Sequence, residues 1–179
     1  MATSTALTVK DFLALNLRED RAYELVGGQV VEMAYAKHRH EKVKANANRI
    51  LVGYLAQNPI GEVYAETTFE LAEDEARQPD LALLLNEQIP VPAVDELLAL
   101  APALAIEVAS SETVADFERK VELFLEKGSR AVWALFLDLR AVRIFAPGGA
   151  SRLVRGDQPV EADFLPGFSV PASRFFEGL

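Results

Sequence analysis

Asp80, Glu107 and Lys120 are the residues of this chain whose types and setting could do chemistry. Asp80 follows Pro79 at the head of the apolar run Leu81 to Leu85, and Glu107 interrupts the apolar stretch Leu104, Ala105, Ile106 and Val108. A carboxylate in such a run is costly unless something pairs with it, so Glu107 needs a partner. Two acids on neighbouring strands could share a divalent cation such as Mg²⁺, which wants oxygen ligands and keeps several waters. A lysine near the attacking water would help deprotonate it and offset charge building on a phosphate. Those are the parts of metal-assisted phosphodiester hydrolysis. The same pattern also fits an ion pair between Glu107 and Lys120 that serves only the fold, and spacing leaves both readings open.

These three residues must be positioned by strands, a turn and a helix. Ala103 to Ala109 reads as a buried strand, with Ser110, Ser111 and Glu112 as the turn after it. Thr113 can cap the next helix, and Asp116 three residues on completes a capping box. Val114, Phe117, Val121, Phe124 and Leu125 recur at helical spacing as its buried stripe. Lys120 lies one residue off that stripe, within reach of the strand end.

Around this unit the chain supplies further elements. Thr8 caps a first short helix through Leu17 that packs on the outside. Tyr23 to Val26 and Gln29 to Ala34, joined by Gly27-Gly28, read as a hairpin, with Glu24 as an exposed strand residue on pattern alone. From His38 to about Gln57, Val43, Ala47, Ile50, Leu51, Tyr54 and Leu55 keep a helical period, and Asn58-Pro59 ends it. His40 stands in its first turn, where a histidine is more often on the surface than functional. Glu62 to Leu71 alternates as one half-buried strand, and Ala72 to Gln78 reads as a polar turn. Asn86 to Ala101 reads as a loop over the sheet edge with one helical turn around Val94 to Leu100. Ala131 to Leu137, Ala141 to Ala146 and Ser151 to Arg155 read as an antiparallel meander, and the tail docks through Phe164, Leu165, Phe168, Val170, Phe175 and Phe176.

Composition narrows the function classes. At 179 residues and 50% hydrophobic, the chain fits one domain with a proper core. It has no cysteine and only two histidines, which argues against disulfides, thiolate chemistry and a histidine-rich zinc site. No signal peptide or membrane-length apolar run is seen, so the expected location is cytoplasmic. A net charge of −9 opposes tight non-specific nucleic-acid binding. The charge is uneven, however: Lys37, Arg39, Lys42, Lys44 and Arg49 cluster around a single acid, Glu41. That cluster is either a solvated helix face or a phosphate-binding one.

The order Pro79-Asp80 and then Glu107 resembles the PD-(D/E)XK nuclease superfamily. The whole chain is similar to its Uma2 branch, the restriction endonuclease-like proteins also called DUF820. The resemblance is carried by YELVGGQVVEM, His40 opening the long helix, QPDLALLL, LAIEVASSET, DFERKVELFLEKG, the tryptophan strand ending in Asp138, and LPGF. It implies an α/β (α+β) fold: a restriction endonuclease-like core of a helix, three strands, a helix and a strand, with a central mixed β-sheet flanked by helices. Residues 1–36 would form an N-terminal helix and hairpin, 37–138 the core, and 139–179 the C-terminal meander and tail of one domain. It also implies Asp80 and Glu107 as ligands of Mg²⁺, with Mn²⁺ as a substitute.

Two residues after Glu107, where the superfamily has its lysine, this chain has Ala109. Asp116, Lys120, Phe124 and Gly128 match the Uma2 arrangement, in which the lysine sits on the following helix, so Lys120 inherits the role. Gln78 and Ser111 depart from the family pattern, and Arg77 stands in for an arginine that relatives carry one position later. Glu24 and His40 match family positions and are expected to line the cleft. The leading expectation is a Mg²⁺-dependent nuclease acting on DNA, with Lys37, Arg39, Lys42 and Arg49 meeting phosphate, and homodimeric because it would cut two strands. The alternatives are a catalytically silent binding or assembly protein of the same fold and a hydrolase of a small phosphorylated molecule.

Overall fold

In the computed structural model, residues 6–109 and 113–179 are described, and the expected turn at 110–112 lies outside them. The first helix, α1 (Val9–Leu13), is capped as its sequence requires. The Thr8 hydroxyl accepts from the Asp11 N–H, and the Asp11 carboxylate accepts from the Thr8 N–H. It stops short of Leu17: Val9 and Phe12 are buried, whereas Leu13 and Leu15 face solvent, so nothing rewards another turn. Strands β1 (Tyr23–Val26) and β2 (Gln29–Glu32) form the expected hairpin. Gly27 and Gly28 both take positive φ at its turn, as a two-residue connection of this hand needs. The long helix α2 (His38–Leu55) buries Val43, Ala47, Leu51 and Leu55.

The alternating stretch that reads as one strand is two. Strand β3 (Gly61–Ala65) ends at Glu66, which takes φ 51, and β4 (Phe69–Ala72) enters a different sheet. Alternation survives the break, so the pattern alone does not reveal it. The expected polar turn from Ala72 to Gln78 contains a buried strand, β5 (Glu75–Arg77). Next come β6 (Leu81–Leu85) and a loop with a single 3₁₀ turn at 86–88. The helical turn expected around Val94 to Leu100 is absent; Leu98 instead bridges to Phe69. Then follow β7 (Leu104–Ala109), α3 (Val114–Glu126), β8 (Ala131–Phe136), β9 (Ala141–Phe145), β10 (Ser151–Arg155), β11 (Pro159–Glu161) and β12 (Ser169–Pro171).

Six strands make a mixed sheet in the order β10-β9-β8-β7-β6-β3, in which β7 and β8 are parallel and the other pairs antiparallel. The α3 crossover joins the parallel pair, as a parallel connection demands. Helix α2 lies on one face with Leu81, Leu83, Leu85, Leu104, Ile106 and Trp133. Helix α3 covers the other with Ala82, Leu84, Ala105, Val132 and Ala134 against Phe117, Val121 and Phe124. Burial on both faces explains why β6, β7 and β8 read as continuous apolar runs. The tail docks on the α2 side through Leu165, Phe168, Phe175 and Phe176. A second sheet, β2-β1-β5-β4, brings the N-terminal hairpin against the inserted strands β4 and β5.

Two glycines make a matched test of this packing. A Cβ at Gly61 would overlap the Leu84 carbonyl oxygen across the β3–β6 ladder, and backbone cannot swing aside. At Gly53, inside α2, a Cβ would meet nothing within 4 Å. Urea denaturation is expected to show Gly61→Ala losing about 2 kcal/mol or more and Gly53→Ala gaining about 0.5–1 kcal/mol from helix propensity. Equal effects of the two would contradict the close approach at Gly61.

Candidate active site

The antiparallel register of β6 and β7 places the two acids together. The ladder ends with Leu81 opposite Ile106, which brings Asp80, just before β6, to the end of β7 that carries Glu107 and Val108. Glu107 is in phase with Ala105, which lies under α3, so Lys120 reaches it from that helix, whereas Asp80 is met by His40 from α2. The Val108 N–H also donates to Asp80 Oδ2 at 2.7 Å, tying the carboxylate to the neighbouring strand.

Lys120 lies within the buried stripe of α3, between Phe117 and Val121, rather than beside it. Val114, expected in that stripe, is 74% exposed, because the helix meets the sheet only one turn later. The Thr113 cap is present, but the reciprocal contact in the structure is the Thr113 hydroxyl donating to the Asp116 carboxylate. At 2% exposure the Lys120 ammonium contacts Glu107 at 2.9 Å and Glu24 at 3.0 Å, and donates to the Gln78 carbonyl at 3.1 Å. Two carboxylates and a carbonyl therefore enclose the ammonium.

Glu24, expected exposed on pattern alone, is 6% exposed. It accepts from the Gln78 N–H at 2.8 Å and lies 3.4 Å from Arg77. Arg77 continues to Glu75 at 2.7 Å, and Glu75 reaches Arg119 at 2.9 Å and the Gly27 N–H at 3.1 Å. His40 is also buried, with Nε2 3.2 Å from Asp80 and Nδ1 3.4 Å from Glu41. Burial pushes the His40 pKa down, but the hydrogen bond and charge of Asp80, then Glu41, outweigh it and raise the pKa above the ordinary value.

Asp80, Glu107, Glu24 and His40 all line one cleft of about 440 Å³, with Lys120 behind its floor. The basic cluster is divided. Lys44 turns inward to Glu41 at 2.8 Å and Glu66 at 2.6 Å. Burial lowers its pKa, and the two acids more than reverse that. Lys37, Arg39, Lys42 and Arg49 are not among the residues lining the cleft; Arg39 lies 3.3 Å from Asp138, and Arg49 donates to the Asn46 side chain. Sequence reasoning named Arg77 only by family resemblance and missed the charge web it forms with buried Glu75 and, at the surface, Arg119. Its members stand in a polar segment and on a helix surface, and no local pattern marks charges that bury one another. It also missed Arg21 and Tyr35 at the mouth.

Among the described residues, no group of three or more His, Asp or Glu side chains is placed to hold a metal ion. The donor set is nonetheless suited to a hard cation: two carboxylates line one cleft, and one of them, Asp80, has no lysine or arginine in contact among those residues. No helix among them is long and apolar enough to cross a membrane.

The sequence matches the model of the Uma2 family, described as "Putative restriction endonuclease", over residues 9–173. No curated protein matches the chain. Among solved structures, a crystal structure from Anabaena variabilis ATCC 29413, described as a "putative nuclease belonging to DUF820", superimposes with a TM-score of 0.85 at 16% identity. The match covers 95% of this chain and 97% of that one, and it shows a shared fold.

The charge web makes its own prediction. Removing one partner of a buried ion pair leaves an uncompensated charge, so Lys120→Met is expected to cost about 3–5 kcal/mol in urea denaturation. Combining it with Glu24→Gln and Glu107→Gln is expected to recover most of that loss. A cost below about 1 kcal/mol for the single variant would mean that water screens the cluster.

Proposed function

The chain belongs to the Uma2 family, and from that premise we propose that it is a divalent-metal-dependent nuclease hydrolysing DNA phosphodiesters in the Glu24–His40–Asp80–Glu107 cleft. One observation carries the reading: Asp80, just before β6, and Glu107, on β7, line the same cleft, with the Lys120 ammonium 2.9 Å from Glu107. Asp80 and Glu107 would hold Mg²⁺ or Mn²⁺. Such an ion, when bound, supplies Lewis-acid stabilisation of phosphate charge and lowers the pKa of a water.

The chain's own groups then divide the remaining work. Lys120 keeps a positive charge beside Glu107 and, from behind the floor of the cleft, offsets charge gathering on the phosphate. Its contacts to Glu24 and the Gln78 carbonyl prevent it from swinging away. His40 and the Val108 N–H hold Asp80 Oδ2 and so fix which way the carboxylate points. Glu24 acts through Lys120 and is a positioning residue. Lys37, Arg39 and Arg49 are exposed and available to flanking phosphates.

Plasmid nicking with Mg²⁺ or Mn²⁺ tests this. Asp80→Asn and Glu107→Gln are each expected to lose at least about 100-fold in rate, equivalent to a few kcal/mol of transition-state stabilisation. Calorimetric titration should show weaker metal binding in both variants. Wild-type activity that survives both substitutions, or metal affinity unchanged in both, would remove the chemistry from this cleft.

A further inference from the structure

The lip of the cleft carries an aromatic ring that the hydrolytic reading leaves unused. Tyr35, in the connection between β2 and α2, lines the cleft and is 71% exposed. Its ring is held from one side, where the Arg21 guanidinium carbon lies 4.4 Å from the ring centroid. Arg21 is in turn fixed by Glu32 at 2.8 Å, and Glu32 faces Tyr23 across the hairpin. The Met33 N–H donates to the Ala22 carbonyl at 2.9 Å, carrying the pairing past the end of β2 toward the ring. Hairpin register thus presets the cation, and the cation presets the ring. Val31, also exposed, adds apolar surface to the same lip.

A pre-oriented ring with one covered face and high exposure beside a phosphodiester site suits a nucleobase. Stacking on aromatic side chains is how proteins grip single strands without reading sequence. Duplex bases cannot use such a surface, because their faces are stacked on neighbours and only their edges show in the grooves. Cleft size points the same way. The two acids line a space of about 440 Å³, and Glu107 is only 6% exposed. That volume is in the range of a single small-molecule site, which suits one nucleotide of a separated strand.

Charge removes the main objection. The acidic lip residues Asp20, Glu32 and Glu66 are each paired, with Arg18, Arg21 and Lys44, at 2.8, 2.8 and 2.6 Å. The lip therefore repels a phosphodiester far less than its count of carboxylates suggests. With the chain at −9 overall, counterion release contributes little, and stacking must supply a larger share of the affinity.

We propose that Tyr35, backed by Arg21, is a stacking platform for an unpaired base, so that the cleft takes single-stranded DNA in preference to duplex. This rests on the phosphodiester reading of the cleft and adds strandedness and a binding residue to it. In the test, wild type with Mg²⁺ is mixed rapidly with a short oligodeoxynucleotide carrying 2-aminopurine. Fluorescence quenching reads binding before turnover, and a gel of the same reaction reads cleavage.

Wild type is expected to quench the single strand and to bind it more tightly than the matching duplex. Tyr35→Ala should weaken single-strand affinity about 5- to 100-fold, and Tyr35→Phe, which keeps the ring, should bind like wild type. Circular dichroism confirms that the variants are folded. Unchanged affinity in Tyr35→Ala, duplex binding as tight as single-strand binding, or no single-strand binding at all would overturn the platform. If Asp80-dependent cleavage persists in those cases, the nuclease reading stands without it. Tyr35-dependent binding with no cleavage would instead support the platform and sink the hydrolytic reading alone.

Discussion

The structure depends on one buried ammonium. Lys120, almost without solvent, is surrounded by acceptors from separate parts of the chain: Glu24 on β1, Glu107 on β7 and the Gln78 carbonyl just before β6. A desolvated cation tolerates little loss of its partners, so it fixes the hairpin sheet, the main sheet and α3 with respect to one another. The neighbouring web repeats the rule. Arg77 is shared by Glu24 and Glu75, and Glu75 by Arg77 and Arg119. The four-stranded sheet is therefore joined to the rest of the chain by paired charge as well as by apolar contacts of Val9, Phe12, Leu25 and Ala76 and of Phe69 and Leu71.

Why Lys120 can reach the acids follows from residue size. The face of the main sheet under α3 carries Ala82, Ala105 and Ala134 beside Leu84 and Val132, whereas the opposite face carries Leu81, Leu83, Leu104, Ile106 and Trp133. Small residues let α3 lie close, and Phe117, Val121 and Phe124 fill the remaining space. A lysine in the same stripe is then carried to the strand end, where Glu107 stands in phase with Ala105. Period-two alternation in the strands and the 3.6-residue period in the helix converge on that spot.

Much of this was legible in the sequence. The runs that become β6, β7 and β8 are apolar throughout because both faces are covered, and α2 and α3 keep clear periods. Asp80 and Glu107 stood out as charges next to or within those runs. Other features were hidden for identifiable reasons. The stretch from Glu62 to Leu71 alternates through a break that a single positive-φ residue, Glu66, creates without disturbing the pattern. Glu75 and Arg77 look like turn residues because burial of mutually paired charges is a property of the partners, and the partners lie far away in sequence. Glu24 misleads in the same way, and only resemblance to a family marked it and His40 as residues of the cleft.

The distribution of charge also resolves an apparent conflict between an acidic chain and a phosphodiester site. Net charge counts every carboxylate equally, but a carboxylate in contact with a cation contributes little field at a distance. At the mouth, Asp20, Glu32 and Glu66 are paired, and Lys44 from the basic run is spent on Glu41 and Glu66 instead of facing solvent. At the floor, Glu107 shares Lys120 with Glu24, which leaves Asp80, with a buried histidine and one backbone N–H, as the acid least compensated by a permanent cation among the described residues. In the proposed function, a small hard cation at Asp80 and Glu107 would complete that balance, and the lip would offer an incoming strand carboxylates that are already paired. The acidity of the whole chain and the chemistry of the cleft are set by different residues.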